Sequence, residues 1–338
     1  MKNGLMVVSP NEAGKMNIGD FIQALAAKQY FDKIDVLIDR DFGLAKYDGE
    51  EVKMIMNGWY MDHPENFPPS DKIIPLFVSM HINRYGLPGL LRDECVEYFK
   101  RHQPIGCRDF HTVELLKSKG VDAYFTGCLT LTLGRKYKYG GTRRGVYIVD
   151  PYFSTYNISK RPLFLLQTVA TLVRHYKPIR TISLKKKDAS FRSLLHNAVF
   201  FRTYSKVFDA RMLVEAEYVN QFNEEIGKMS YQERLSYAET LIRKYASAEF
   251  VITSRIHCGL PCLGLDTPII FVRNEQSDNM STDRFGGLMD LFNVITWSKD
   301  RLLWNEKKRM TFKNIPQNKP NWEKISENLV RICENFAR

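Results

Sequence analysis

Apolar residues along the chain follow two patterns, short continuous runs and longer stretches with helical spacing, and the two alternate. In residues 1–134 the short runs predict strands and the spaced stretches predict helices. The predicted strands cover residues 4–10, 34–39, 52–59, 74–82, 104–109 and 121–127, and the predicted helices cover residues 21–31, 88–102 and 112–118. Because strands that alternate with helices build parallel sheets with crossover helices, the pattern predicts an α/β fold.

The same alternation starts again after residue 144. Strands are predicted over residues 145–151, 179–184, 249–254 and 267–272, and helices over residues 163–175, 192–222, 231–246, 256–265 and 322–336. The clearest amphipathic pattern lies in 231–246, where Leu235, Ala238, Leu241, Ile242 and Tyr245 share one helical face. The chain therefore reads as two successive α/β units followed by a last helix.

A boundary between the units is expected in residues 135–145, which are rich in glycine and charge and lack periodic apolar residues. A chain of 338 residues is also too long for one small core. We therefore predict a first domain over 1–140, a second domain over 145–315 and a C-terminal helix over 316–338.

The composition excludes several classes of protein. With 44% hydrophobic and 26% charged residues, the sequence is typical of an ordinary globular protein. Its six cysteines are scattered, with no C-x-x-C pair, which predicts buried reduced thiols and no metal site. No apolar run is long enough for a membrane span or a signal peptide, so a cytoplasmic location is expected.

Positive charge is concentrated in the second half of the chain. Residues 1–144 hold 20 Lys and Arg against 18 Asp and Glu, whereas residues 145–338 hold 29 against 20, giving a net charge of +11. Such an excess favours an anionic partner: a phosphorylated substrate, an acidic membrane surface or nucleic acid. A single cluster such as Lys185–Lys187 is equally consistent with a solvated surface.

The strand-to-helix junctions carry the candidate chemistry. Ser254, Arg255 and His257 follow the predicted strand 249–254, where ligands bind in open parallel sheets and where a helix N-terminus attracts anions. A lone histidine there is also compatible with a hydrogen-bonded core residue. The arginine beside it makes an anion site the favoured interpretation.

Two junctions in the first half repeat this arrangement. Asn17, Gly19 and Asp20 lie before the first long helix, where glycine permits close approach of the backbone and Asp20 is a possible N-cap. Arg108 and Asp109 lie before the predicted helix 112–118, and an arginine there can hold a carboxylate or phosphate with two hydrogen bonds. The alternatives are a simple helix cap and an ion pair between Arg108 and Asp109.

Four short motifs at these junctions resemble the polysaccharide pyruvyl transferases. They are N-I-G-D at 17–20, G-C-R-D-x-x-T at 106–112, E-L-L-x-x-x-G at 114–120 and S-R-I-H at 254–257. The sequence departs from the family at 126–133, T-G-C-L-T-L-T-L, where many members have an acidic D-P. The resemblance implies two Rossmann-like domains facing a cleft, similar to the GT-B glycosyltransferases, and a reaction that forms a pyruvate ketal across two sugar hydroxyls from phosphoenolpyruvate and releases phosphate.

The resemblance also implies roles for individual residues. His257 and Arg108 match the family residues that bind phosphoenolpyruvate, and the Asn17–Asp20 segment would face the cleft. A histidine can protonate C3 of the enol phosphate, while Arg108 and Arg255 can hold its negative groups. Asp20 and Asp109 are candidate bases by position alone. Phosphoenolpyruvate would be a co-substrate, and no separate cofactor is expected.

Expected partners follow from the same reading. In surface polysaccharide assembly the acceptor would be a nucleotide-linked or lipid-linked saccharide, with a peripheral contact to anionic membrane as a further expectation. Two rivals stay open: a GT-B glycosyltransferase that uses a nucleotide sugar, and a non-catalytic binder of an acidic polymer. Nucleic acid is disfavoured because the sequence has no helix-turn-helix, zinc-finger or RNP-like pattern. The sequence indicates neither the acceptor sugar nor an oligomeric state.

Overall fold

Two six-stranded sheets organise the computed structural model, which describes residues 1–156, 158, 160–275, 285–304 and 308–338. The first sheet has the strand order β3-β1-β4-β5-β6-β7, and all its paired strands are parallel. Its strands are β1 (Lys2–Val7), β3 (Val36–Asp39), β4 (Val52–Tyr60), β5 (Ile73–Ile82), β6 (Ile105–Cys107) and β7 (Ala123–Phe125). The predicted α/β class is confirmed.

The second sheet has the order β14-β13-β12-β11-β8-β9, and only the edge strand β14 is antiparallel to its neighbour. Its strands are β8 (Val146–Val149), β9 (Glu217–Val219), β11 (Phe250–Thr253), β12 (Ile269–Asn274), β13 (Asn293–Ser298) and β14 (Arg301–Leu303). A short antiparallel pair links the two halves: β2 (Met16–Asn17) with β10 (Phe222–Asn223).

Helices cover both faces of the sheets. Those in the first half are α1 (Ile18–Lys28), α2 (Leu87–Leu90), α3 (Asp93–Arg101), α4 (Phe110–Ser118) and α5 (Gly134–Tyr137). Those in the second half are α6 (Pro162–Arg174), α7 (Tyr176–Lys185), α8 (Phe191–Tyr204), α9 (Ala210–Glu215), α10 (Glu224–Lys228), α11 (Tyr231–Ser247), α12 (Ile256–Gly264) and α13 (Glu323–Ala337). None of the described helices is long and apolar enough to cross a membrane.

Alternation of side chains along each strand creates three apolar layers. In β1, Leu5 and Val7 point to a layer shared by both sheets, while Met6 points to the outer layer of the first sheet. In β8, Tyr147 joins the shared layer and Ile148 joins the outer layer of the second sheet. The shared layer contains most of α1 and the buried faces of α11 and α12, so apolar packing joins the two halves.

The C-terminal helix returns to the first half. Leu329 and Cys333 of α13 are buried in the shared layer, and Lys53 Nζ of β4 donates a hydrogen bond of 3.1 Å to the carbonyl of Phe336. The predicted tail helix is therefore confirmed. The proposed domain boundaries and the GT-B-like arrangement stay predictions.

Two predicted elements in the second half are wrong. Residues 179–184 form part of helix α7, not a strand; Ile179, Ile182 and Ser183 are buried at helical spacing. The predicted helix 192–222 ends at Tyr204, and Asp209 then caps the short helix α9 before strand β9. In the predicted linker 135–145, the first three residues belong to α5 and the rest form no helix or strand.

Candidate active site

A cavity of about 520 Å³ opens where strands of the first sheet end. Its lining includes Ser9 after β1, Arg40 after β3, Asn83 after β5 and Arg108 after β6. The second half contributes residues from β10 and from the start of α12. The full lining is Val8, Ser9, Asn11, Lys15, Met16, Asn17, Asp20, Arg40, Trp59, Met61, Asp62, His81, Ile82, Asn83, Arg84, Tyr85, Arg108, His111, Phe222 and His257. The cavity therefore lies at the strand ends, as expected for an α/β protein.

Arg108 and His257 meet in this cavity although 149 positions separate them in the sequence. Arg108 Nη1 lies 3.3 Å from His257 Nε2, and the two side chains are 0% and 4% exposed. Among the described residues, Arg108 Nε and Nη2 have no hydrogen-bond partner, although Nε lies 4.0 Å from Asp109 Oδ2. A buried guanidinium with spare donors is chemically suited to hold an anion.

The imidazole of His257 is held between the two halves. The residue leaves helical geometry in the first turn of α12, with φ −86° and ψ 21°. Its Nδ1 lies 3.3 Å from the side-chain nitrogen of Gln23 in α1, and Nε2 faces Arg108. A guanidinium only donates, so a hydrogen bond from Arg108 requires a lone pair on Nε2 and hence the proton of the neutral ring on Nδ1. Gln23 Nε2, which also contacts Asp20, can donate only to an unprotonated Nδ1, so the neutral ring accepts from Arg108 or from Gln23 but not from both.

The N-I-G-D segment, residues 17–20, packs directly against His257. Asn17 caps α1, because its side chain accepts a hydrogen bond of 3.0 Å from the Gly19 amide. The possible capping role of Asp20 is therefore wrong. A Cβ placed on Gly19 would lie 2.9 Å from His257 Cβ, closer than real side chains approach. Glycine at this position allows α12 and α1 to bring His257 and Gln23 together.

Asp20 and Asp109 occupy different environments. Asp20 lines the cavity and accepts a hydrogen bond of 3.2 Å from Gln23 Nε2. Asp109 lies beneath the cavity, fully buried, and caps α4 by accepting hydrogen bonds of 2.9 Å from the backbone N–H and hydroxyl of Thr112. Its second oxygen lies 2.7 Å from His81 Nδ1. The alternative of an Arg108–Asp109 ion pair is seen only as a long contact, with 4.0 Å between Arg108 Nε and Asp109 Oδ2.

Electrostatics keep Asp109 ionised. Burial alone would raise the pKa of its carboxyl, but the His81 hydrogen bond, the charges of His81 and Arg108, and the Thr112 N–H together lower it. An ionised Asp109 fixes the ring of His81, whose side chain reaches the cavity. Asp109 thus holds the His81 ring in place.

Sequence reasoning missed a second cationic group in the cavity. Arg40 is 2% exposed, and its Nη2 contacts Asp41 at 2.6 Å and Asp62 at 3.2 Å. Its guanidinium also lies 4.7 Å from the ring centre of Trp59. Burial alone would lower the pKa of Arg40, but nearby carboxylates, chiefly those of Asp41 and Asp20, raise it. Arg40 and His81 each lie at a strand end, and that position is the signal that could have identified them.

Ser254 and Arg255 do not join the lining around Arg108 and His257. The Ser254 hydroxyl donates to the Val272 carbonyl at 2.7 Å, and Arg255 Nε contacts Asp150 Oδ2 at 2.8 Å. Both line an adjoining cavity of about 1170 Å³, which also contains Lys185–Lys187. The two cavities share Lys15 and Phe222 in their linings.

A half-buried lysine lines this adjoining cavity. Lys186 Nζ lies 4.5 Å from the ring centre of Phe200 and 4.8 Å from that of Tyr218, and it donates a hydrogen bond of 2.8 Å to Asn197 Oδ1. Burial lowers the pKa of Lys186 to about 8, and the charge of Asp150 opposes this shift. The described residues include no cluster of ligands suited to a metal ion.

Residues 17–276 match the family model for polysaccharide pyruvyl transferase. The chain belongs to the polysaccharide pyruvyl transferase family. It is therefore a transferase enzyme with a part in polysaccharide biosynthesis. The matched span begins at Asn17 and includes both Arg108 and His257, so most of the cavity lining, though not residues 8–16, lies within the matched part of the chain. No curated protein matches the chain.

Proposed function

We propose that this pyruvyl transferase takes phosphoenolpyruvate as its donor and forms a ketal across two hydroxyls of a sugar, with release of phosphate. The observation that carries the proposal is the buried Arg108 guanidinium, whose spare N–H groups lie beside the His257 imidazole. The donor carries a carboxylate and a phosphate, and these are the groups that a guanidinium binds with paired hydrogen bonds.

The donor is proposed to lie between the two halves, because Arg108 belongs to the first and His257 to the second. Arg40 stands in the same cavity but is already engaged by Asp41 and Asp62. We therefore assign direct contact with the donor to Arg108 and His257 and give Arg40 a supporting electrostatic role. The resemblance implies a donor side in the second domain, 145–315, and an acceptor side in the first, 1–140, whereas we propose that both halves contact the donor.

The proposed reaction has two bond-forming steps. In the first, a sugar hydroxyl oxygen bonds to C2 of the enol phosphate. His257, which takes up a proton when the negative groups of the donor engage Arg108, delivers that proton to C3, which becomes a methyl group. In the second, another hydroxyl oxygen bonds to C2 as the C2–O bond to phosphate breaks, and phosphate leaves with the electron pair. Of the two hydroxyl protons, one restores the imidazolium and the other leaves with phosphate. A positioned acid of this kind accelerates such a step by about 10²- to 10⁴-fold.

Asp20 is the proposed base for the hydroxyl. Its carboxylate lines the cavity and contacts Gln23, which also contacts His257. The other sequence candidate, Asp109, is a weaker choice, since both its oxygens are engaged beneath the cavity. Asp62 is the control carboxylate for Asp20, because it also lines the cavity. Burial raises the pKa of its carboxyl.

The adjoining cavity is proposed to hold the acceptor. Its Lys185–Lys187 side chains provide cationic groups for the phosphates of a nucleotide-linked or lipid-linked saccharide, whereas Arg255 is paired with Asp150. The six cysteines are free and buried, which supports a cytoplasmic site of action, where thiols stay reduced.

Donor binding can be tested before the acceptor is known. Phosphoenolpyruvate should raise the unfolding temperature of the wild type, since a ligand at about 100 times its Kd stabilises the folded state by about 2.7 kcal/mol. The Arg108→Ala variant should lose this shift, while Arg108→Lys should keep part of it. A wild type that responds to UDP or GDP and not to phosphoenolpyruvate would favour the glycosyltransferase alternative.

Turnover then tests the roles of the acid and the base. With candidate saccharides, the assay follows phosphate release and the mass of the sugar product. His257→Gln and Asp20→Asn should each reduce turnover by about 10²-fold or more, whereas Asp62→Asn should have a smaller effect. Full turnover in His257→Gln would remove this residue from the chemistry.

A further inference from the structure

Helix α6 presents an apolar face to solvent. Leu163, Leu166 and Val173 are 75%, 65% and 75% exposed, and Leu165 and Val169 are also exposed. These positions recur at helical spacing and cover one continuous side of α6. Large exposed apolar patches mark interaction sites in folded proteins.

The opposite side of α6 attaches the helix to the protein. Thr168 and Leu172 are buried, and Leu172 belongs to the outer apolar layer of the second sheet. Phe164 lies under the guanidinium of Arg202 from α8, with 4.3 Å from its ring centre to Cζ. The helix is thus anchored by one face, and its apolar outer face is exposed in the part of the chain that the structure describes.

The segment around this face is strongly basic. Residues 151–187 contain eight lysines and arginines and no aspartate or glutamate. Arg174 lies on the same side of α6 as Leu163 and Leu166 by helical spacing, and Lys177 and Arg180 follow in α7. All three cations are exposed, and no described carboxylate forms an ion pair with them.

This combination of apolar and basic residues matches an anionic lipid surface. A helix lying in the membrane interface buries its apolar face among the acyl chains, while neighbouring lysines and arginines meet lipid phosphates. A second copy of the chain fits poorly, because a symmetric contact through α6 would oppose two segments of the same positive charge.

We propose that the outer face of α6 docks the enzyme on membranes that contain acidic lipids, with Leu163, Leu166 and Val173 inserted and Arg174, Lys177 and Arg180 at the headgroups. The proposal places on α6 the membrane contact that the positive charge of the second half predicts. It also supports a lipid-linked acceptor, and to that extent it deepens the proposed function.

Vesicle sedimentation of the chain tests the proposal. The wild type should sediment with vesicles of phosphatidylcholine and phosphatidylglycerol at low salt, and less so with phosphatidylcholine alone. The Leu166→Glu variant should weaken binding by about tenfold or more, since a buried leucine is lost. Arg174→Ala should weaken it by about fivefold and reduce its salt dependence. Tyr139→Glu, which alters an exposed aromatic residue between the halves, is the matched control and should bind like the wild type.

Several outcomes would overturn the docking surface. The wild type could stay in the supernatant with acidic vesicles or bind both lipid mixtures equally. Leu166→Glu could bind as well as the wild type. Any of these three results refutes docking through α6. A dimer in solution that Leu166→Glu dissociates, without vesicle binding, would assign the face to a second copy. The unfolding temperature of each variant checks the fold. Binding of phosphoenolpyruvate in Leu166→Glu should stay at the wild-type level, so failure of the membrane proposal and failure of the donor proposal give different results.

Discussion

Replacing Gly19 with alanine is the most direct test of how the two halves build the site. The added Cβ would lie 2.9 Å from His257 Cβ, 3.2 Å from His257 Nδ1 and 3.1 Å from Asn17 Oδ1. Non-bonded carbon atoms rest at about 3.5–4.0 Å, so relief of the closest contact requires a shift of roughly 0.6–1 Å. The contacting atoms belong to the histidine itself and to the cap of α1. His257 or the start of α1 must therefore move.

The consequence for function should exceed the consequence for stability. A displacement of about 1 Å at a reacting group costs about 10²-fold in rate, or about 2.7 kcal/mol of transition-state stabilisation. Alanine in a helix gains roughly 1 kcal/mol over glycine, while overpacking costs about 1–3 kcal/mol, so the free energy of unfolding should fall by about 2 kcal/mol at most. We expect Gly19→Ala to fold and to lose most of its activity.

The assay compares Gly19→Ala with wild type for phosphoenolpyruvate affinity, for phosphate release and for unfolding in urea. Gly140→Ala is the matched control, since no atom lies within 4 Å of a Cβ at that position. If Gly19→Ala keeps wild-type affinity and turnover, the close approach of α12 to α1 does not set the position of His257, and the argument from this contact is refuted.

Three further predictions concern buried charges and the donor site. Asp109→Asn should reduce the free energy of unfolding at pH 7 by about 1–3 kcal/mol. Because folding lowers the pKa of Asp109, this difference is present above the ordinary aspartate pKa and disappears as pH falls through the folded pKa. Urea titrations at pH 7 and pH 3 measure the change. Lys186→Met should stabilise the protein at pH 7 by up to about 3 kcal/mol, since a folded pKa of about 8 means that folding disfavours the charged lysine. The gain in the free energy of unfolding should shrink as pH rises from 8 towards 10.5. A gain that does not change with pH would contradict the lowered pKa of Lys186. Arg108→Lys should bind phosphoenolpyruvate more weakly than wild type but more strongly than Arg108→Ala in calorimetric titrations, because it retains charge and loses the paired donors.

Much of the architecture was predictable because the apolar pattern specifies one element type locally. The strands of the first sheet are buried on both faces and appear as continuous apolar runs, as in 52–59 and 74–82. Residues 179–184 misled the same reasoning, since their β-branched residues suit a strand as well as a helix. Packing of Ile179 and Ile182 into the outer layer of the second sheet decides for the helix, and that information is not local.

The candidate site was predictable to the extent that strand ends converge. Strand-end positions single out Arg108 and His257 separately, the family resemblance of their motifs assigns them to one site, and the structure brings them to 3.3 Å. Arg255 lies two positions from His257 yet lines the adjoining cavity, because it is the extended N-cap residue of α12 and precedes the first helical turn. The contact of Arg255 with Asp150 could not be anticipated, since it joins strand ends 105 positions apart.

The apolar layer between the sheets bears on how the site works. Arg108 and His257 come from different halves, so their spacing depends on the packing that joins those halves. Helix α1 is almost completely buried there, and Arg234 of α11 donates a hydrogen bond of 3.3 Å to the carbonyl of Val8 at the end of β1. Opening the halves widely would expose this layer to water, at a free-energy cost of about 25 cal/mol per Å² of apolar surface. The apolar layer therefore favours a pre-organised site over one assembled by large domain closure. For the proposed donor and acceptor to meet, local movements around Lys15 and Phe222, at the boundary of the two cavities, are the less costly route.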